Sequence, residues 1–239
     1  MTEQERITIK TNIEGIQARI RDAAARAGRD PEDILLLAAT KMNSAERVQA
    51  AIQSGIRCCG ENKVQELLEK YEQNAYNGAD LQFIGTLQTN KVKYLIGKVS
   101  LIQSVGSTHL GKAIAKEAAK KNLCQNILIE VNIGREEAKS GLLPEELSSA
   151  LEELSALPSL RIRGLMAIPP IVDPDTGNTP YFLKMRRLFD DLTALQLPNV
   201  TMEYLSMGMT DDFEEAIACG SNMIRVGTAI FGKRNYSTP

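Results

Sequence analysis

The chain reads as an α/β protein built on one (β/α)8 barrel of the TIM type, with an extra helix ahead of the first strand. Three observations predict this. Short apolar runs recur eight times, helical segments separate most of them, and no linker or shift in composition divides the 239 residues. A doubly wound open sheet also alternates, but eight strands exceed its usual need. The predicted organisation is one domain over residues 1–239, with 1–30 as the N-terminal helix and its linker.

Residues 3–27 place Ile9, Ile13, Ile16, Ile20 and Ala24 on one helical face, and Gly28-Arg29-Asp30-Pro31 stops that helix. Strands are expected at 34–40, 56–59, 81–85, 100–103, 127–132, 162–166, 201–206 and 223–226. Helices are expected at 44–54, 61–73, 107–121, 144–156, 180–195 and 211–218, with a shorter one at 86–98. Asp211 with Glu214 reads as a capping box opening the helix after strand seven. The connection 167–179, AIPPIVDPDTGNT, follows strand six and is the longest irregular one. It lies where a barrel forms its sites, and it is a surface insertion or a lid.

Composition removes several classes. A formal charge of −2, with lysine and arginine outnumbered by acids, gives no nucleic-acid footprint. The polar N-terminus has no apolar stretch of a secretion signal, and no run approaches the length of a membrane span. The four cysteines, at 58, 59, 124 and 219, show no metal-ligand spacing and read as reduced thiols of a cytoplasmic protein. Cys58 and Cys59 are neighbours in a strand and should face opposite sides. The single histidine, His109, opens a helix as a surface or capping residue, so no histidine-based acid–base machinery is expected.

The chemistry concentrates at strand ends. Barrels commonly hold phosphate in the loops after strands seven and eight. Ser206 and Gly208 end strand seven, while Gly227 and Thr228 follow strand eight, so both places offer a hydroxyl and bare backbone. Alternation turns Met223 and Arg225 inward with Gly227. A guanidinium inside a barrel needs an acceptor. Either Glu130 on strand five or a ligand atom can be that acceptor. Lys41 shares the inward phase of Leu37 and Ala39, and lysine among apolar neighbours becomes a nucleophile toward carbonyls. Lys63, Lys91, Lys93 and Lys98 fall on polar helical faces. A lysine nucleophile, an inward arginine and a phosphate cup together describe pyridoxal 5′-phosphate.

The motifs ATK (39–41), GENKVQE (60–66), FIGTLQTNK (83–91), VNIGREEAKSG (131–141), GLMAI (164–168) and SMGMTDDFEEAIACGSNMIRVGTAIFG (206–232) resemble the pyridoxal phosphate homeostasis protein family. The resemblance runs from about residue 30 to the C-terminus. It implies the fold-type III barrel of alanine racemase, with Lys41 as the Schiff-base lysine. It also implies Ser206, Gly208, Gly227 and Thr228 around the phosphate, Arg225 near the ring nitrogen and Asn62 near the ring. One departure is Gln82, where many relatives carry histidine before FIG; another is the variable TGNTPYF stretch. Neither is expected to touch the lysine or the phosphate cup.

The expected role is a monomeric cytoplasmic protein that holds or hands over the cofactor in vitamin B6 and amino-acid or keto-acid homeostasis, without appreciable catalysis. Fold-type III racemases add a second domain, which typically supplies a tyrosine base, and a barrel using the whole chain is expected to leave no residues for that domain. Of its tyrosines at 71, 76, 94, 181, 204 and 236, only Tyr204 falls in a strand. Arginine beside the ring nitrogen also leaves the pyridine a poorer electron sink. The alternative is an amino-acid racemase using Lys41 and a weak second base. A phosphosugar isomerase or an aldolase ranks lower, since the usual aldolase lysine position on strand six is Met166. Apo-enzymes accepting the cofactor, or a regulatory protein, are the expected partners.

Overall fold

The computed structural model describes residues 1–170 and 177–232. Eight parallel strands close a barrel in sequence order. They are β1 Leu35–Ala39, β2 Cys58–Glu61, β3 Asp80–Phe83, β4 Leu101–Val105, β5 Gln125–Val131, β6 Leu160–Ala167, β7 Val200–Ser206 and β8 Met223–Val226. The first helix, α1 Glu3–Arg26, opens with a capping box between Thr2 and Glu5 and ends before Gly28, whose φ is 65°. The others are α2 Ala45–Gln53, α3 Val64–Glu72, α4 Val92–Leu95, α5 Thr108–Lys120, α6 Leu147–Ser155, α7 Thr179–Thr193, α8 Phe213–Ala218 and α9 Thr228–Phe231.

Helix α9 is a single turn, too short to cover the outside of β8. Helix α1 packs against α2, α8 and α9 and fills that outer position. This is why its face of Ile9, Ile13, Ile16 and Ile20 is buried. The extra N-terminal helix thus completes the barrel's outer ring.

Three local expectations are corrected. The helix predicted from residue 61 starts at Val64, because Glu61 ends β2 as a buried carboxylate. The 86–98 helix reduces to a 3-10 turn at Thr89–Lys91 and the short α4. The Asp211–Glu214 capping box does not form. Asp212 is the residue at the start of α8 and accepts from the Met209 amide at 2.6 Å, while Glu214 pairs with Arg19 of α1 at 3.1 Å. His109 is exposed in the first turn of α5, whose cap is Ser107. Of the 167–179 connection, residues 171–176 lie outside the described residues, and the lid reading with them.

Candidate functional site

Strand phase decides which side chains reach the barrel mouth. Leu37, Cys58 and Ile84 pack inside the barrel with Leu35 and Ala39. Leu101, Leu128, Met166 and Met223 form the adjoining inner layer. Ala38, Cys59, Ile224 and Val226 face outward into the helix-covered core. The two neighbouring cysteines therefore do point to opposite sides. Burial pushes the Cys59 thiol up to about 12, which leaves it unreactive at neutral pH.

Lys41 follows Ala39 at the mouth and is half-buried. It lines a cavity of about 520 Å³ together with Arg225, Gly227 and Thr228. A side chain at Gly227 would place its Cβ 3.2 Å from the Ala39 carbonyl oxygen and 3.3 Å from the Ala39 Cβ. Strands β1 and β8 thus meet closely beneath the lysine. Asn43, Arg47, Met209 and Thr210 share the wall and were not singled out from sequence. Arg47 donates to Asn43 at 3.1 Å, to Glu5 of α1 at 3.0 Å and to the Phe231 carbonyl. It ties three elements together and brings a positive charge to the cavity.

Arg225 points inward as predicted and is 5% exposed. Its guanidinium donates to Ser206 Oγ at 2.6 Å and to the Ala167 carbonyl at 2.9 Å. Glu130 does not take the part of its hydrogen-bonded partner. The Glu130 carboxylate instead accepts from Ser140 at 3.0 Å. Burial lowers the Arg225 pKa to about 10, against the opposing pulls of Asp212 and Glu130, so the guanidinium stays charged at neutral pH.

Ser206 and Gly208 are not on the cavity wall. Ser206 is fully buried and donates to Gln103 Oε1 at 2.7 Å. Gln103 donates to Gln82 at 2.6 Å, and Gln82 to Asp80 at 2.9 Å. A chain of hydrogen bonds thus crosses the barrel interior, each link donating away from Arg225. Gln82, expected to stand apart, is its third link. Gly208 has φ 92°, and a Cβ there would come within 2.6 Å of Ala216 on α8. It shapes the turn after β7, and its carbonyl accepts from the Arg225 amide at 3.0 Å. Asn62 follows β2, and its Oδ1 is buried without a hydrogen-bond partner among the described residues. An orphaned polar atom of this kind calls for a partner.

The family model described as alanine racemase, N-terminal domain, matches residues 11–235. A pyridoxal phosphate homeostasis protein of Aquifex aeolicus is 46% identical over 220 residues, covering 91% of this chain and 95% of the relative. Among solved structures, PipY of Synechococcus elongatus PCC7942 with PLP bound is 28% identical with a TM-score of 0.81, covering 94% of this chain and all of PipY (100%). An alanine racemase of Clostridium difficile superposes with a TM-score of 0.73 at 13% identity; 96% of this chain matches 57% of the racemase chain. That last likeness is one of fold alone.

Proposed function

Because this chain belongs to the pyridoxal phosphate homeostasis protein family, we propose that its barrel mouth holds pyridoxal 5′-phosphate and serves vitamin B6 and amino-acid or keto-acid homeostasis. The observation that carries this reading is the meeting of Lys41 and Arg225 on one cavity wall. The PLP bound to PipY supports it. The residues suit the group: a primary amine, a buried cation and close backbone at Gly227.

When bound, the cofactor supplies an aldehyde that reacts reversibly with amines, together with a ring nitrogen and a phosphate. Lys41 is the amine that takes the aldehyde. Arg225 would stand beside the ring nitrogen and, as a charged donor-only group, would keep its own proton. Thr228 and the main chain at Gly227 receive the phosphate, with Arg47 adding positive charge. Ser206 and Gly208 serve the same site from beneath, by holding the Arg225 side chain and backbone. Asn62, which lies off the cavity wall, is the residue the family resemblance puts near the ring.

Holding rather than turnover is the proposed role. Tyr204 packs inside the barrel with Leu101, Leu128, Met166 and Met223 and borders a different cavity from Lys41, so it does not serve as a second base. Met166 is buried in that same apolar layer, where an aldolase would place its lysine. We further propose that the chain acts as one domain and as a monomer in the cytoplasm, delivering cofactor to apo-enzymes or acting on a regulatory partner. No helix among the described residues is long and apolar enough to cross a membrane.

The test is addition of pyridoxal phosphate to the purified protein and to Lys41→Ala, with amino-acid racemisation assayed in parallel. The parent should gain visible absorbance and the folded variant should not, with no racemisation by either. Full visible absorbance in Lys41→Ala would overturn the assignment of Lys41, and turnover by the parent would overturn the carrier role.

A further inference from the structure

Directly behind Lys41, on the outer side of β1 and β2, lies a buried ionic cluster. Glu61, at the end of β2 and fully buried, meets Lys70 of α3 at 2.7 Å. Thr40 turns outward by strand phase, and its hydroxyl donates to the same Glu61 Oε1 at 2.7 Å. The Tyr76 hydroxyl donates to that oxygen at 3.1 Å. Lys70 also donates to the Thr40 carbonyl at 2.8 Å and to Glu66 Oε1 at 2.6 Å. Glu66 in turn accepts from the Met42 backbone amide.

These contacts have a common consequence. The Thr40 carbonyl belongs to the peptide unit before Lys41, and the Met42 amide belongs to the unit after it. Both units are therefore held by one ion cluster. Met42 has a φ of 61°, a left-handed conformation that a methionine seldom adopts without outside support. A buried ion pair is by itself a weak sign of net stabilisation, because apolar residues of similar volume often replace one without loss. Its geometry is also uneven: Glu61 Oε1 receives three donors while Oε2 is buried without a partner. An arrangement of this kind suits fixing a backbone better than packing a core.

We propose that Lys70, Glu61 and Glu66 are positioning residues that hold the Lys41 backbone so that its amine faces the cavity. This rests on the reading of Lys41 as the amine that takes the cofactor aldehyde. The same contacts keep Lys70 from competing for the aldehyde, since all three of its ammonium donors are committed and it lies off the cavity wall.

Glu66→Ala removes the carboxylate contact to the Met42 amide while leaving the Lys70–Glu61 pair, and Glu66→Gln keeps an acceptor at the same place. The measurement is the rate of pyridoxal phosphate uptake by absorbance, with thermal unfolding as a control. Glu66→Ala should take up cofactor roughly tenfold more slowly, as expected for a displaced reacting group, with Glu66→Gln restoring most of the rate. Thr40→Val, which deletes the hydroxyl contact to Glu61, should slow uptake in the same direction and serves if Glu66→Ala folds poorly. Parent-like uptake in Glu66→Ala and Thr40→Val, with only the unfolding temperature lowered, would overturn the positioning role and leave cofactor binding standing. No uptake by the parent protein would overturn cofactor binding itself, and this role with it.

Discussion

Arg225 and Ser206 are joined by a 2.6 Å hydrogen bond at the barrel mouth, and Ser206 passes the donation on through Gln103 and Gln82 to Asp80. Every link has its donor on the Arg225 side, so the successive dipoles stabilise the buried positive charge. The orientation of the arginine thus depends on residues well below the cavity.

Gln103→Leu should break this chain. It leaves the Ser206 hydroxyl and the Gln82 carbonyl oxygen each short of a buried partner, which costs about 1–3 kcal/mol. Urea unfolding should show a lower midpoint at an unchanged slope. A midpoint equal to the parent's would mean that the chain carries no net free energy.

Glu130 gives a pH dependence. Burial holds its carboxyl above the usual carboxylate range, against the pulls of Ser140 and Arg225. The folded state therefore keeps this proton at pH values where the unfolded chain has released it. Its contribution is full below the unfolded pKa and is lost as pH rises through the folded one. Glu130→Gln removes that loss, so its thermal stability relative to the parent should climb as pH rises above the ordinary glutamate range. A difference that stays flat or reverses would contradict the assignment.

Gly227→Val should close the floor beneath Lys41, because even a Cβ there stands 3.2 Å from the Ala39 carbonyl oxygen. If the overpacking cost of about 1–3 kcal/mol falls on the bound state, cofactor binding weakens roughly fivefold to a hundredfold or more. Titration by absorbance measures it, and binding equal to the parent's would place the cofactor elsewhere.

Ile13→Ala tests α1 as the helix that completes the outer ring. Ile13 is fully buried there, and the truncation should cost about 2–5 kcal/mol. A loss below about 0.5 kcal/mol, the level of a surface change, would show that α1 is peripheral. Thermal unfolding of the intact chain decides between the two.

The barrel was legible because buried parallel strands are apolar in continuous runs. Strand β8 falls on the predicted residues 223–226, and Met223 and Arg225 face inward as alternation requires. Strand β2 was misplaced for the opposite reason. Its last residues, Gly60 and Glu61, carry no apolar signal, and the burial of Glu61 depends on donors from Thr40, Lys70 and Tyr76 that sequence spacing does not reveal. Ser206 and Gly208, expected at the phosphate from their types, also hold the frame of the site: one hydrogen-bonds Arg225 and the other packs against α8. The three-dimensional turn after β7 brings Met209 and Thr210 to the cavity wall instead. Gln103 had no signal at all, since an amide inside an apolar strand reveals its partners only when the barrel closes.

The central claim is that Lys41 is the amine that holds the cofactor, and the most direct test locates the covalent link. The protein loaded with pyridoxal phosphate is reduced with borohydride, digested and mapped by mass spectrometry. A pyridoxyl group fixed on Lys41, with Lys70 unmodified, is the predicted result. Label on Lys70 or scattered over surface lysines, with Lys41 unmodified, would contradict it.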